Sequence, residues 1–249
     1  MASHRDSQHE FALYLHELSE ISKASDILRI DDAALVHRVL HVLRLQKDDI
    51  LILFDQCVHV RASLESIEKK AIVCRLHSVQ KNIAHVPKIT VWLPLLKRES
   101  FEEAIYALVE MGVNSIQLLH TTKEHHRKIG QKEMQRIHNI MIAAAEQSKN
   151  FSMAEIFEPR DLTDLLTEIS DAQGIFFDVN GRELLDVAQE LHHNKKKAYV
   201  VVVGPEGDLT EAEKYQLQKA AFMFVRLTPT VLRAQQAVSV GVGAVRSLL

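Results

Sequence analysis

The stretch Val200-Val201-Val202-Val203-Gly204-Pro205-Glu206-Gly207-Asp208-Leu209-Thr210-Glu211-Ala212-Glu213 changes character twice. Its four valines are β-branched and uninterrupted by polar side chains, as in a strand covered on both faces. Gly204, Pro205 and Gly207 then mark a turn, in which proline fixes φ and glycine is expected to adopt positive φ and let the backbone approach a ligand. Thr210 and Glu213 have the spacing of a capping box, which starts a helix. A buried strand feeding a helix through such a turn is the repeating step of a parallel α/β sheet, and ligands of these sheets sit beyond the carboxyl ends of the strands. A tight turn without a ligand has the same local pattern.

Downstream, Leu227-Thr228-Pro229-Thr230-Val231-Leu232-Arg233-Ala234-Gln235-Gln236-Ala237 follows the next apolar run and enters the last helix. Two successive strand-end loops of this kind lie side by side and make one pocket. Working toward the N-terminus, strands are expected at residues 89–96, 115–119, 174–178, 199–203 and 222–227. Helices are expected at 132–147, 162–169, 183–191, 211–220 and 234–248. Ser100-Phe101-Glu102-Glu103 reads as a second capping box, and Gly112 as the residue that ends the helix it opens. Residues 88–249 thus form an α/β domain.

Residues 1–87 read differently. Residues 50–54, 59–67 and 71–79 are short apolar or alternating runs, with Lys69-Lys70 at a turn, and residues 38–45 have helical spacing. This is a small β-rich domain, joined to the second by a linker at residues 82–87.

Across the 249 residues, 47% of side chains are apolar, 25% are charged and the formal net charge is −3. A chain of this size buries a core without disulfides or structural metal. Cys57 and Cys74 belong to no C-x-x-C pair, so a disulfide framework and a zinc ribbon are unsupported and a reducing cytoplasm fits. The start has no apolar leader and no run is long enough to cross a bilayer, so neither secretion nor a membrane partner is expected. The near-neutral balance argues against coating nucleic acid by bulk charge. Residues 35–81, however, carry eight Lys or Arg against five acids, a local excess of +3 that reads either as a solvated surface or as a phosphate-binding patch.

Dinucleotide, nucleotide-triphosphate, zinc-protease and serine-hydrolase signatures are missing. The pairs His125-His126 and His192-His193 lack a carboxylate-histidine pattern, so no metal site is expected.

Together the two loops resemble the RsmE family of ribosomal RNA methyltransferases, of the SPOUT class. Its G-P-E-G-G-[hydrophobic]-[ST]-x-x-E loop matches residues 204–213, and its L-G-x-R-I-L-R-x-E-T-A loop matches residues 227–237. The resemblance continues through His37, Val42-Leu43-Arg44, Asp49 and Phe54-Asp55. It includes Lys97, Glu110-Met111-Gly112-Val113 and Ala144-Ala145-Glu146-Gln147-Ser148. It implies an N-terminal PUA-like β-barrel that helps bind RNA and a C-terminal α/β domain tied in a trefoil knot. It also implies S-adenosylmethionine as methyl donor and a homodimer.

The implied activity is methylation of ring nitrogen 3 of a uridine in small-subunit (16S) ribosomal RNA. Val203, Gly204, Gly207, Leu227, Val231, Leu232 and Ala237 would hold the cofactor, Arg233 and Glu206 would be catalytic, and Arg38, Arg44 and Lys97 would contact RNA. The alternatives are a SPOUT methyltransferase acting at another RNA position and a catalytically weak RNA-binding ribosome assembly factor. The chain departs from the family pattern at Asp208, Thr228, Thr230 and Gln235-Gln236, at Lys149-Asn150, and at Asp48 and Gln56.

Overall fold

The computed structural model describes residues 10–123, 128–169, 171–194 and 196–249. The chain clusters into two compact units, Met1–Ile83 with Ala145–Ser152, and Ala84–Ala144 with Met153–Leu249.

The first unit is built on five strands, β1 (Phe11–Tyr14), β2 (Ile27–Ile30), β3 (Ile50–Phe54), β4 (Val58–Ile67) and β5 (Ile72–Lys81). Their order is β1-β3-β4-β5-β2, with β1 parallel to β3 and the other pairs antiparallel. Alternation on β4 and β5 sends Val60, Ala62, Leu64, Ile72, Cys74 and Leu76 into the core, where Leu13, Leu51 and Leu53 meet them. The turn from β3 to β4 is made by Asp55, whose Oδ1 accepts from the backbone N–H of Cys57 at 2.7 Å and of Val58 at 2.8 Å. Its Oδ2 accepts from Ser19 N–H at 2.6 Å and so pins the start of helix α1 (Leu18–Ala24). Burial opposes ionisation of Asp55, but these donors outweigh it and hold the carboxyl below the ordinary aspartate value.

The expected helix at residues 38–45 begins earlier. It is α2 (Ala33–His37), capped by Asp32, and it widens into a π-helical turn at Arg38–Val42. Arg44, at φ 54°, then ends the run in the left-handed region. Strands β1 and β2 and helix α1 were not anticipated, because four-residue strands give too short an alternation to stand out.

The second unit alternates strand and helix. In chain order it comprises β6 (Lys88–Pro94), α3 (Arg98–Glu110), β7 (Ser115–His120), α4 (Gln131–Ser148), β8 (Glu155–Asp161) and α5 (Leu162–Glu168). It continues with β9 (Ala172–Glu183), α6 (Leu184–His193), β10 (Ala198–Val202), α7 (Glu211–Lys219), β11 (Met223–Arg226) and α8 (Ala234–Leu248). The six strands are all parallel, in the order β11-β9-β10-β6-β7-β8. Parallel strands need cover on both faces, and Ile89, Val91, Leu93, Val201 and Val202 are accordingly fully buried. Each such side chain contributes roughly 1.5–3 kcal/mol.

Two local expectations need correction. The Ser100 capping box does not form. Helix α3 starts at Arg98 with Lys97 as its N-cap, and Phe101 N–H already donates to Lys97 O at 2.8 Å, so Ser100 lies inside the first turn. Residues 155–161 form a strand where none was expected. β8 is a mostly exposed edge carrying Glu158, Pro159 and Arg160, composition that edge strands tolerate and sequence patterns hide.

Candidate active site

Because the strands are parallel, the segments that leave β6, β9, β10 and β11 emerge at one edge of the sheet, and there they enclose a cavity of about 720 Å³. Four segments line it: the start of α3, residues 177–179, the loop after β10 and the loop after β11.

The loop after β10 is fixed from both ends. Asp208 N–H donates to Pro205 O at 2.9 Å, which closes the turn. Lys123 Nζ donates to Gly207 O at 2.7 Å. Beyond it, Thr210 Oγ1 accepts from Glu213 N–H at 3.2 Å while Glu213 Oε2 accepts from Thr210 N–H at 2.7 Å, the reciprocal capping box read from the sequence. Glu213 Oε1 also takes Thr122 N–H at 2.8 Å, so one buried carboxylate joins α7 to the segment after β7. Burial raises the Glu213 pKa, and the Thr210 and Thr122 donors reverse this and leave it below the ordinary glutamate value.

The glycine expectation fails in its detail. Neither Gly204 nor Gly207 has positive φ; the left-handed residue of this loop is Asp208, at φ 58°. Aspartate tolerates that region better than most L-residues. A Cβ on Gly204 would stand 3.2 Å from Asp208 Oδ1, so compactness is what glycine provides there, whereas a Cβ on Gly207 would meet nothing closer than 3.7 Å.

The loop after β11 is braced by Thr228 Oγ1 donating to Thr230 O at 2.6 Å, and Arg233 is the N-cap of α8. The third wall is a departure from regular strand geometry. Along β11, Phe224 pairs with Phe176 but Val225 pairs with Arg182, so residues 177–181 leave the ladder. Asp178 Oδ1 accepts Asn180 N–H at 2.7 Å inside this excursion.

Of the residues singled out from the sequence, Val203, Gly204, Glu206 and Leu227 line the cavity, as do Val231, Leu232, Arg233 and Ala237. Gly207 is in the same loop but outside the lining. Lys97, expected to touch RNA, also lines the cavity, and its N–H donates to Glu206 Oε1 at 3.2 Å. Arg38 and Arg44 belong to the first unit. Arg38 Nη1 lies 2.6 Å from Glu146 Oε2, an ion pair to a carboxylate whose side chain is only 4% exposed; Arg44 is exposed.

Among the described residues no group of His, Cys, Asp and Glu has the arrangement of a metal site. His192 and His193 end α6, with His193 Nδ1 2.6 Å from Gln189 O, and the pair His125-His126 falls outside the described residues.

Sequence reasoning missed Phe177, Asp178 and Val179 as wall residues. The signal was Asp178-Val179-Asn180-Gly181, turn chemistry inside an apolar run. It also missed Lys214, whose Nζ lies 2.7 Å from both Asp178 Oδ2 and Asp208 Oδ2. Burial opposes the lysine charge, but its two carboxylate partners prevail and raise its pKa.

The cavity pairs apolar walls (Phe177, Val203, Val225, Leu227) with backbone groups of strand-end loops and a few charged side chains. Its volume lies within the roughly 300–1,000 Å³ of small-molecule sites, and the composition suits a mixed aromatic and polar ligand.

Residues 84–246 match the model of the RNA methyltransferase domain family. A ribosomal RNA small subunit methyltransferase E from Mesomycoplasma hyopneumoniae is 27% identical over 154 residues, 60% of this chain and 65% of that protein. A ribosomal RNA small subunit methyltransferase E 2 from Borreliella burgdorferi is 23% identical over 93% of this chain and 96% of its own length. The crystal structure of a ribosomal RNA small subunit methyltransferase E from Neisseria gonorrhoeae bound to S-adenosyl methionine superposes with a TM-score of 0.80. It is 25% identical, covering 96% of this chain and 98% of that one.

Proposed function

The chain belongs to the RNA methyltransferase family and to its RsmE group, and on that premise we propose that it methylates ring nitrogen 3 of a uridine in small-subunit ribosomal RNA. It is an S-adenosylmethionine-dependent RNA methyltransferase. The observation that carries the proposal is the convergence of the loops after β10 and β11 on one cavity, with Arg233 and Glu206 in its lining.

The residues present fit the cofactor. Apolar side chains offer cover for an adenine ring, and the compact backbone at Gly204 leaves room beside Asp208 for close approach. We assign Val203, Gly204, Leu227, Val231, Leu232 and Ala237 to holding it, with Gly207 shaping the loop through its bond to Lys123. When bound, S-adenosylmethionine supplies an electrophilic methyl group on a sulfonium centre.

Methyl transfer to a ring nitrogen is an in-line displacement, so the protein contributes chiefly by fixing a near-attack geometry. Uridine N3 carries a proton that must leave, and the negative charge that results spreads onto the flanking carbonyl oxygens. Arg233, with five N–H donors on a fixed plane and a position in the cavity lining, would stabilise that charge. Glu206, tethered by Lys97 N–H, presents a carboxylate to the same space as proton acceptor. The target base has to leave its stack to enter the cavity.

In the same reading residues 1–87 are a PUA-like barrel that assists RNA binding and residues 88–249 a SPOUT domain with a trefoil knot, acting as a homodimer in the cytoplasm. Arg38, Arg44 and Lys97 contact phosphates and set register, while the unstacked base supplies specificity.

Arg233→Ala tests the assignment. Single-turnover methylation at saturating RNA is expected to slow on the order of a hundredfold, the loss typical of an oxyanion donor. The salt dependence of RNA binding should stay as in the wild type. Turnover at the wild-type rate would return Arg233 to the role of a loop anchor at the start of α8.

A further inference from the structure

We propose that Lys214 is a positioning residue for the cofactor pocket, because it ties the loop after β10 to the excursion of β9 and so fixes two walls before the ligand arrives. The proposal rests on the reading of the cavity as the S-adenosylmethionine site and adds a residue that neither loop motif contains.

The geometry is a three-membered clamp. Lys214 Nζ sits 2.7 Å from Asp178 Oδ2 and 2.7 Å from Asp208 Oδ2. Each carboxylate is held at its other oxygen by backbone, Asp178 Oδ1 by Asn180 N–H and Asp208 Oδ1 by Leu209 N–H, both at 2.7 Å. Both acids line the cavity, one from each wall. Lys214 stands behind them, one helical residue past Glu213 and outside the lining.

This clamp differs from an ordinary surface ion pair. The side chain of Lys214 is 12% exposed and that of Asp178 is 4% exposed, so solvent screening of this arm is weak, whereas Asp208, 54% exposed, forms the arm that faces solvent. Buried ion pairs are poor devices for stability, since apolar replacements are often neutral or better, and α7 is already anchored by its capping box and by buried Leu217. β9 and β10 pair as far as Phe176 and Val202, and beyond that point the lysine links the two segments that continue from them. Asp208 also holds a left-handed conformation, at φ 58°, which aspartate tolerates, and its carboxylate is fixed there by Leu209 N–H and by Lys214. Rigidity of this kind raises affinity by removing the ordering cost of binding.

Calorimetric titration of the full chain with S-adenosylmethionine tests the clamp through three variants. Asp208→Asn cuts one arm and leaves the buried Lys214 and Asp178 pair intact. Lys214→Met combined with Asp178→Asn removes the link without stranding a buried carboxylate. The third variant carries all three changes.

Each of the first two should weaken binding roughly tenfold, and the third should weaken it no further, because coupled groups are non-additive. Asp208→Asn should melt within about a degree of the wild type and bind ribosomal RNA equally well, and Lys214→Arg should retain most of the affinity. Wild-type affinity in Asp208→Asn and in the paired variant would overturn the clamp. So would losses that multiply to about a hundredfold in the third variant, which would mark independent ligand contacts. Failure of the wild type itself to bind S-adenosylmethionine would overturn the proposed function and the clamp with it.

Discussion

Carboxylates govern the residue scale in this protein, and each is read through the donors that face it. Glu213 has two backbone N–H partners and the Thr210 hydroxyl, which keep its pKa below the ordinary 4.5. A depressed acid contributes stability that is complete above its unfolded pKa and lost as the pH falls through the folded one. Denaturant midpoints should therefore be flat above about pH 5 and decline below it, and Glu213→Gln should flatten that acid limb while removing on the order of 1–2 kcal/mol at neutral pH. An unchanged acid limb in Glu213→Gln would contradict the assignment. Glu146 matters in a different way. Its partner Arg38 is 41% exposed, yet Arg38→Ala leaves a carboxylate that is almost wholly buried without its counter-charge. The expected loss is about 2 kcal/mol, below the 3–5 kcal/mol of fully buried pairs because water reaches the arginine side. Arg44→Ala should instead leave the melting temperature alone and lower the log-log salt slope of RNA binding by roughly one. Equal melting losses for the two would undo this distinction.

At the scale of elements, the packing of one pocket wall involves a glycine that the sequence motif does not include. A Cβ at Gly241 on α8 would lie 2.2 Å from the ring of Phe177, the residue that opens the β9 excursion and lines the cavity. Gly241→Ala should cost about 1–3 kcal/mol through overpacking and weaken S-adenosylmethionine binding by displacing that ring. Gly207→Ala, with its nearest neighbour at 3.7 Å, should be close to neutral for stability. Calorimetry and thermal melts of the two variants check the pair, and a neutral Gly241→Ala would contradict the packing. The same contrast shows which parts of the site the sequence makes legible. The strand β10 (Ala198–Val202), the Thr210 and Glu213 capping box and Gly112 at φ 68° behind α3 follow from local patterns. The loops after β10 and β11 share one pocket as expected but do not lie side by side, because β9 runs between their strands. The β9 excursion leaves only the turn chemistry of Asp178-Val179-Asn180-Gly181 and no periodic trace, and Lys214 leaves none, because ion pairs between distant segments have no local pattern. The displaced start of α3 has a related cause: a helix N-cap is chosen by chain entry from β6, and Lys97 enters first.

At the scale of the whole chain, residues 145–152, the last turn of α4 and the four residues after it, belong with the first unit although the rest of α4 belongs with the second. Glu146 Oε1 accepts Tyr14 N–H at 2.9 Å, and Phe151 stacks on His59 with ring centroids 4.6 Å apart. A cut at the linker would strip these residues of their partners, so activity is to be measured on the full chain. The most direct measurement uses small ribosomal subunits from a strain lacking this gene, incubated with the purified protein and isotope-labelled S-adenosylmethionine, then digested to nucleosides and resolved by mass. The account predicts close to one labelled methyl per subunit, recovered as 3-methyluridine. Label in any other nucleoside, or none with a protein that binds the cofactor, would contradict it.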